Sequence, residues 1–245
     1  MLHGLGGTSN VFDPLMPGLE GYRVLRPDLP GAGRSPLRPG IRSIAGLARA
    51  VTDALRAAGV RRAIIVGHSM GTLLAQHMAI SAPQRVDGLI LFGAISEPPE
   101  AARQSLTARA ETALRDGMAG IADSVADTSL SAQTLAENPA VRAFLRESLM
   151  RQPPLGYAAH CRILAQATAL PSGQIRAPVR LITGADDPVA PPTMARVMNN
   201  ALSVGKLDIL PGTGHWPMLE SPQACRKILA RALAEMAREP IPERT

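Results

Sequence analysis

A chain of 245 residues, 46% hydrophobic and 19% charged, is long enough for one sizeable α/β domain or a core domain with a smaller inserted one. Its net charge of +6 invites a nucleic-acid partner, but the basic residues are scattered arginines with two lysines, Lys206 and Lys227, and no basic stripe interleaves with the few aromatics; nucleic-acid binding is not expected. Cys161 and Cys225 make no disulfide framework and have no metal-ligand spacing with the five histidines, and no window approaches the ~18 consecutive apolar residues of a membrane span, so the expectation is a reduced, cytoplasmic protein, neither secreted nor membrane-inserted.

In chain order, Met1-Leu2-His3-Gly4-Leu5-Gly6-Gly7 reads as a strand end running into a glycine-rich loop. Tyr22–Arg26 reads as a short strand that stops at Pro27 and delivers the breaker-rich loop Asp28–Pro36. That loop is no phosphate cradle, since its G-x-G lacks a third glycine and a helix opening. Ser43 is placed to cap a helix in which Ile44, Leu47, Ala48, Val51, Leu55 and Ala58 share one face, ending near Gly59. An apolar strand Ala63–Val66 then enters Gly67-His68-Ser69-Met70-Gly71, a helix runs from Thr72 to Ser81, and a buried strand covers Val86–Phe92. From about residue 100 to residue 170 the chain is alanine-rich and helical without a strand signal. Strand, helix and strand return at Val179–Thr183, Thr193–Leu202 and Lys206–Leu210, followed by an amphipathic helix from about Pro222 to Arg238. Strands alternating with helices predict a doubly wound, mostly parallel sheet, and the break at Glu97-Pro98-Pro99 predicts a helical cap over residues 98–170 on a core of 1–97 and 171–245. Disorder is expected only at Glu239–Thr245.

In an open parallel sheet, ligands bind beyond the carboxyl ends of the strands, and three strand-end loops carry Ser69, the pair Asp186/Asp187, and His215. A serine hydroxyl is a weak nucleophile until a base near neutral pKa takes its proton, and the base needs a carboxylate on its other nitrogen to fix the tautomer. The G-x-S-x-G turn sets Ser69 between a strand and a helix N-terminus, and Ser, Asp, His is the chain order of a triad on such a sheet. Either aspartate could serve by position alone.

With His3-Gly4, Asp28–Ser35, Gly67–Gly71, Gly184–Pro191 and Gly214-His215, the sequence resembles the α/β-hydrolase superfamily across essentially its whole length. Its closest resemblance is to 3-oxoadipate enol-lactonase-like and esterase-like serine hydrolases. The resemblance implies Ser69 as nucleophile, His215 as base, and Asp187, selected by the family's G-x-x-D-x-x-x-P spacing, as the acid, with Asp186 second. It also implies an oxyanion hole from the backbone N–H groups of Leu5 and Met70, a pocket lined in part by Trp216, and a small-molecule ester or lactone substrate with no cofactor and no metal. Of the superfamily strands that precede the His-Gly loop only Met1 and Leu2 stand here, so those strands are expected to be missing, leaving an unpaired edge beside the Ser69 strand. Arg142, Arg146 and Arg162 in the helical segment are candidates for contacting a substrate carboxylate, with solvated surface positions as the alternative. Two other functions use the same residues or the same fold: carbon–carbon hydrolysis of a dienoic diketone acid, and ligand binding without catalysis.

Overall fold

The computed structural model describes residues 1–238; the expectation for residues 239–245 lies outside them. Four parallel strands form the sheet in the order β1 (Ala63–His68), β2 (Val86–Phe92), β3 (Val179–Gly184), β4 (Gly205–Leu210). β2 and β3 are buried almost throughout, the pattern expected where helices cover both faces of a parallel sheet. Helix α1 (Ile44–Ala57) begins where expected, with the Ser43 hydroxyl accepting the Gly46 N–H at 3.1 Å. It packs on α2 (Met70–Ser81), which lies on β1 and β2 and is buried on nearly every side. Between β2 and β3 the described chain is helical: α3 (Glu100–Asp116), α4 (Ala119–Thr128), α5 (Ala132–Glu137), α6 (Pro139–Met150) and α7 (Pro154–Ala165). After β3 come α8 (Pro192–Ala201) on β3 and β4, the single turn α9 (Pro217–Glu220) and α10 (Pro222–Arg238) against β2.

One predicted strand is absent. Tyr22–Arg26 joins no ladder, and its link to the sheet is a single bond from the Met1 amino group to the Leu25 carbonyl at 2.7 Å. The reason is its neighbour: Leu2 alone bridges β1, opposite Gly67, so there is too little strand between β1 and residues 22–26 for a ladder to form. The edge of β1 beyond Leu2 faces a cavity of about 760 Å³, lined by Leu2, Val24, Ile64, Val66, Leu229 and Met236 among others. Neither Ser69, Asp187 nor His215 lines that space.

The glycines of the loop at 28–36 have a packing reason. A Cβ on Gly156 of α7 would lie 1.8 Å from the Gly31 carbonyl oxygen, so helix backbone and loop backbone touch directly. His160 of α7 donates from Nε2 to the Pro30 carbonyl at 2.9 Å, and Gln152 Oε1 accepts the Gly33 N–H at 3.3 Å. These contacts join the helical segment to the loop at 28–36.

Candidate active site

The turn after β1 holds Ser69 at φ 52°, ψ −120°, the one positive-φ residue other than glycine among the described residues. Such backbone costs about 1–3 kcal/mol and survives only where neighbours fix it. Here the Ser69 N–H donates to the Phe92 carbonyl at 3.0 Å and the Thr72 hydroxyl donates to the Ser69 carbonyl at 2.6 Å. Gly67 and Gly71 make room: a Cβ on Gly71 would lie 2.2 Å from the Leu2 carbonyl oxygen, and one on Gly67 would lie 2.6 Å from that of Gly71.

The Ser69 side chain meets His215, whose Nε2 lies 2.9 Å from Ser69 Oγ, and His215 Nδ1 lies 2.9 Å and 3.0 Å from the two carboxylate oxygens of Asp187. This geometry has the serine hydroxyl donating to Nε2 and Nδ1–H donating to the carboxylate. Asp187 is held from its far side, Oδ1 also accepting the N–H groups of Val189 and Ala190 at 2.8 Å. Asp186 is exposed and meets the Thr213 carbonyl through its backbone N–H only, so of the two aspartates it is Asp187 that faces His215. All three side chains are buried, Ser69 at 6% exposure, in surroundings where water competes little for their hydrogen bonds.

The His215 backbone is pinned at both ends. Its N–H donates to the Ser129 carbonyl at 2.8 Å, and its carbonyl accepts Nε2–H of His68 at 2.8 Å. That bond fixes the His68 tautomer and leaves its Nδ1 without a partner among the described residues. Burial first, then the nearby His215, holds His68 well below the ordinary histidine pKa, so it stays neutral. Gly93 is a further requirement that the sequence reading missed: at φ 53° it sits where a Cβ would come within 3.2 Å of the His215 ring. Its only sequence signal is its place one residue beyond a strand.

The loop at 3–7 lies on the nucleophile. A Cβ on Gly4 would be 2.7 Å from Ser69 Cβ. His3 fixes this loop from within, with Nδ1 against the Gly4 carbonyl at 2.8 Å and Nε2 accepting the Leu29 N–H at 2.9 Å. Burial pushes its pKa down to about 4, against the Gly4 bond that favours the charged ring. No hydrogen bond among the described residues uses the N–H of Leu5 or of Met70, and Met70 is the first residue of α2, where the N–H has no intrahelical acceptor. Leu149 of α6 and Tyr157 of α7 reach the same loop, meeting the position of a Gly6 Cβ at 2.3 Å and 3.3 Å.

Trp216, expected as pocket lining, is 2% exposed; its ring centre is 4.6 Å from that of His68 and 6.1 Å from that of His215, and its Nε1–H donates to Ser129 Oγ at 2.9 Å. Its indole N–H is satisfied inside the protein, and the ring packs in the wall that supports His215. Arg142 and Arg146 pair with Asp127 and Asp123, and Arg162 is exposed, so the solvated-surface alternative describes these arginines.

The fold is that of a known class. The family model described as alpha/beta hydrolase fold matches residues 1–222, and the chain belongs to that family. The chain is 30% identical over 204 residues to 3-oxoadipate enol-lactonase 2 of Acinetobacter baylyi, covering 83% of this chain and 75% of that one. It is 29% identical over 247 residues to the pimeloyl-[acyl-carrier protein] methyl ester esterase of Chromobacterium violaceum, covering 97% and 94%. A thermophilic esterase from Thermogutta terrifontis superposes with a TM-score of 0.91 at 24% identity, over 96% of this chain and 88% of that one. The protein is thus a hydrolase-family enzyme, and among its described residues no helix is long and apolar enough to cross a membrane.

Proposed function

We propose that the protein hydrolyses carboxylic esters or lactones through an acyl-enzyme on Ser69. The observation that carries this reading is the continuous chain of hydrogen bonds from Ser69 Oγ through His215 to Asp187, at 2.9 Å on either side of the imidazole. Ser69 Oγ attacks the substrate carbonyl carbon while His215 Nε2 takes the hydroxyl proton, and Asp187 stabilises the imidazolium that forms. The oxyanion of the tetrahedral intermediate is received by the unengaged N–H groups of Leu5 and Met70. The bond from the carbonyl carbon to the leaving oxygen then breaks, and that oxygen takes the proton from Nε2. Water repeats the sequence: it gives a proton to Nε2, attacks the acyl carbon, and Ser69 Oγ leaves with the proton returned to it.

The helical segment 98–170 is read as a cap on a core of 1–97 and 171–245. The reach of Leu149 and Tyr157 to the loop at 3–7, and the backbone contact between Gly156 and Gly31, support it. No metal or cofactor enters the reaction as written. The cytoplasmic setting belongs to the same reading and is supported by two buried free thiols, Cys161 and Cys225, which burial pushes up to about 12, out of the thiolate range.

The experiment is a panel of short-chain p-nitrophenyl esters and small lactones, assayed with the wild type and with Ser69→Ala and Asp187→Asn. Turnover lost in Ser69→Ala and reduced by about 10³–10⁴ in Asp187→Asn is expected. Binding of the panel compounds without Ser69-dependent product release would overturn the reading.

A further inference from the structure

Glu220 closes α9, five residues after His215, and its carboxylate binds the loop that carries the histidine. Oε2 accepts the Gly214 N–H at 2.9 Å and Oε1 accepts the Trp216 N–H at 2.9 Å, so the N–H groups of the two residues flanking His215 end on one carboxylate. The same Oε2 accepts the Ser131 N–H at 2.8 Å and the Thr134 hydroxyl at 2.9 Å, both at the start of α5. Four donors converge on the side chain, and among the described residues no basic group forms an ion pair with it.

The segment before α5 is in turn bound to the histidine loop by independent contacts. The Ser131 hydroxyl donates to the Gly212 carbonyl at 2.8 Å, His215 N–H donates to Ser129, and a Cβ on Gly214 would lie 2.6 Å from the Ser131 nitrogen. An imidazole that must face Ser69 and Asp187 at once tolerates little rotation, and its backbone sits on a loop with no regular ladder of its own. A carboxylate is the group suited to gather several N–H donors, since each bond to a charged acceptor is stronger than one between neutral groups.

From this convergence we propose that Glu220 is the positioning residue for His215, fixing the base against Ser69 by tying the residues on either side of it, Gly214 and Trp216, to the start of α5. The effect on rate rests on the hydrolase reading; the effect on the His215 ring does not. Displacing a reacting group by about 1 Å costs on the order of 10²-fold in rate. An isosteric amide in place of the carboxylate keeps the shape, but its NH₂ group must face one of the N–H donors.

The test is Glu220→Gln, with ester kinetics and the ¹H NMR signal of the His215 Nδ1–H that bonds Asp187, identified by its loss in His215→Gln. The expected result is kcat lowered about 10- to 100-fold with KM within about threefold, together with a shifted or exchange-broadened Nδ1–H signal in protein that still unfolds cooperatively. Unchanged kcat and an unchanged signal in folded Glu220→Gln would overturn the proposal. Should Glu220→Gln fail to fold, Thr134→Val decides: it removes one donor from the same oxygen, and a kcat lowered about threefold with a broadened signal supports the role, whereas wild-type values of both overturn it. A wild type lacking Ser69-dependent turnover would contradict the hydrolase reading alone, because the Nδ1–H signal still reports on Glu220.

Discussion

Single atoms decide the geometry around Ser69. The absence of a side chain at Gly4 lets the loop at 3–7 lie against the nucleophile, and Gly4→Ala would put a carbon 2.7 Å from Ser69 Cβ and 3.1 Å from the His68 carbonyl oxygen. Because the backbone partner cannot yield, the loop has to move, carrying the Leu5 N–H with it. We expect kcat for ester hydrolysis to fall about 10²–10³-fold, the usual cost of one lost oxyanion donor, with the thermal midpoint nearly unchanged. Wild-type kcat in Gly4→Ala would remove Leu5 from the account. Much at this scale was legible in the sequence, because G-x-S-x-G encodes steric demands that glycine alone meets, and the acid and the histidine follow in order at later strand ends. The choice of Asp187 over Asp186 needed the family's spacing, and the structure adds that Val189 and Ala190 N–H groups hold its carboxylate. The supports of His215, namely His68, Gly93, Ser129 and Glu220, come from four separate parts of the chain, so no single linear pattern unites them.

At the level of elements, helix and strand periods located the sheet and its helices to within one or two residues. Ser43 and the apolar face of Ile44 to Ala58 define α1, and the run Val86–Phe92 defines β2. Tyr22–Arg26 failed as a strand because strand identity belongs to a pair: residues of high strand propensity stay unladdered when their neighbour supplies one bond. The junction of α7 with the loop at 28–36 was equally hidden, since Gly31 and Gly156 meet across 125 residues of chain. Gly156→Ala gains about 1 kcal/mol of helix propensity but places a Cβ 1.8 Å from backbone oxygen, an overlap that no rotamer relieves. A net loss of about 2 kcal/mol in urea unfolding is expected, and stabilisation would show that α7 is free to slide on the loop.

For the molecule as a whole, three buried histidines link stability to pH. His3 is pushed down to about 4 by burial, with His160 lowering and Asp28 raising it, and burial likewise lowers His68 and His160. Above the ordinary histidine pKa of about 6.5 neither state is protonated and these groups are neutral to stability. As pH falls below it the unfolded chain binds protons that the folded one refuses, so His3 costs stability between about pH 6.5 and 4 at about 1.4 kcal/mol per pH unit, and His68 and His160 act in the same direction. Urea midpoints should fall over that range, and His3→Gln should flatten the slope by close to one proton; a slope unchanged in His3→Gln would show that His3 is protonated in the folded state. The fold class could be read from the sequence because alternation of strand and helix leaves few parallel topologies. The helical segment itself was legible from the break at Glu97-Pro98-Pro99, but the contacts that join it to the core, such as Gly156 on Gly31, were not, because they lie between elements and not in any period within one.

The most direct test of an acyl-enzyme on Ser69 is the intact mass of the protein quenched within the first turnovers of p-nitrophenyl acetate, followed by peptide mapping. One acetyl group per chain is expected, located on Ser69, that builds up faster than it is lost and is absent in Ser69→Ala. Product release at the wild-type rate with no adduct on Ser69, or with an adduct on another residue, would contradict it.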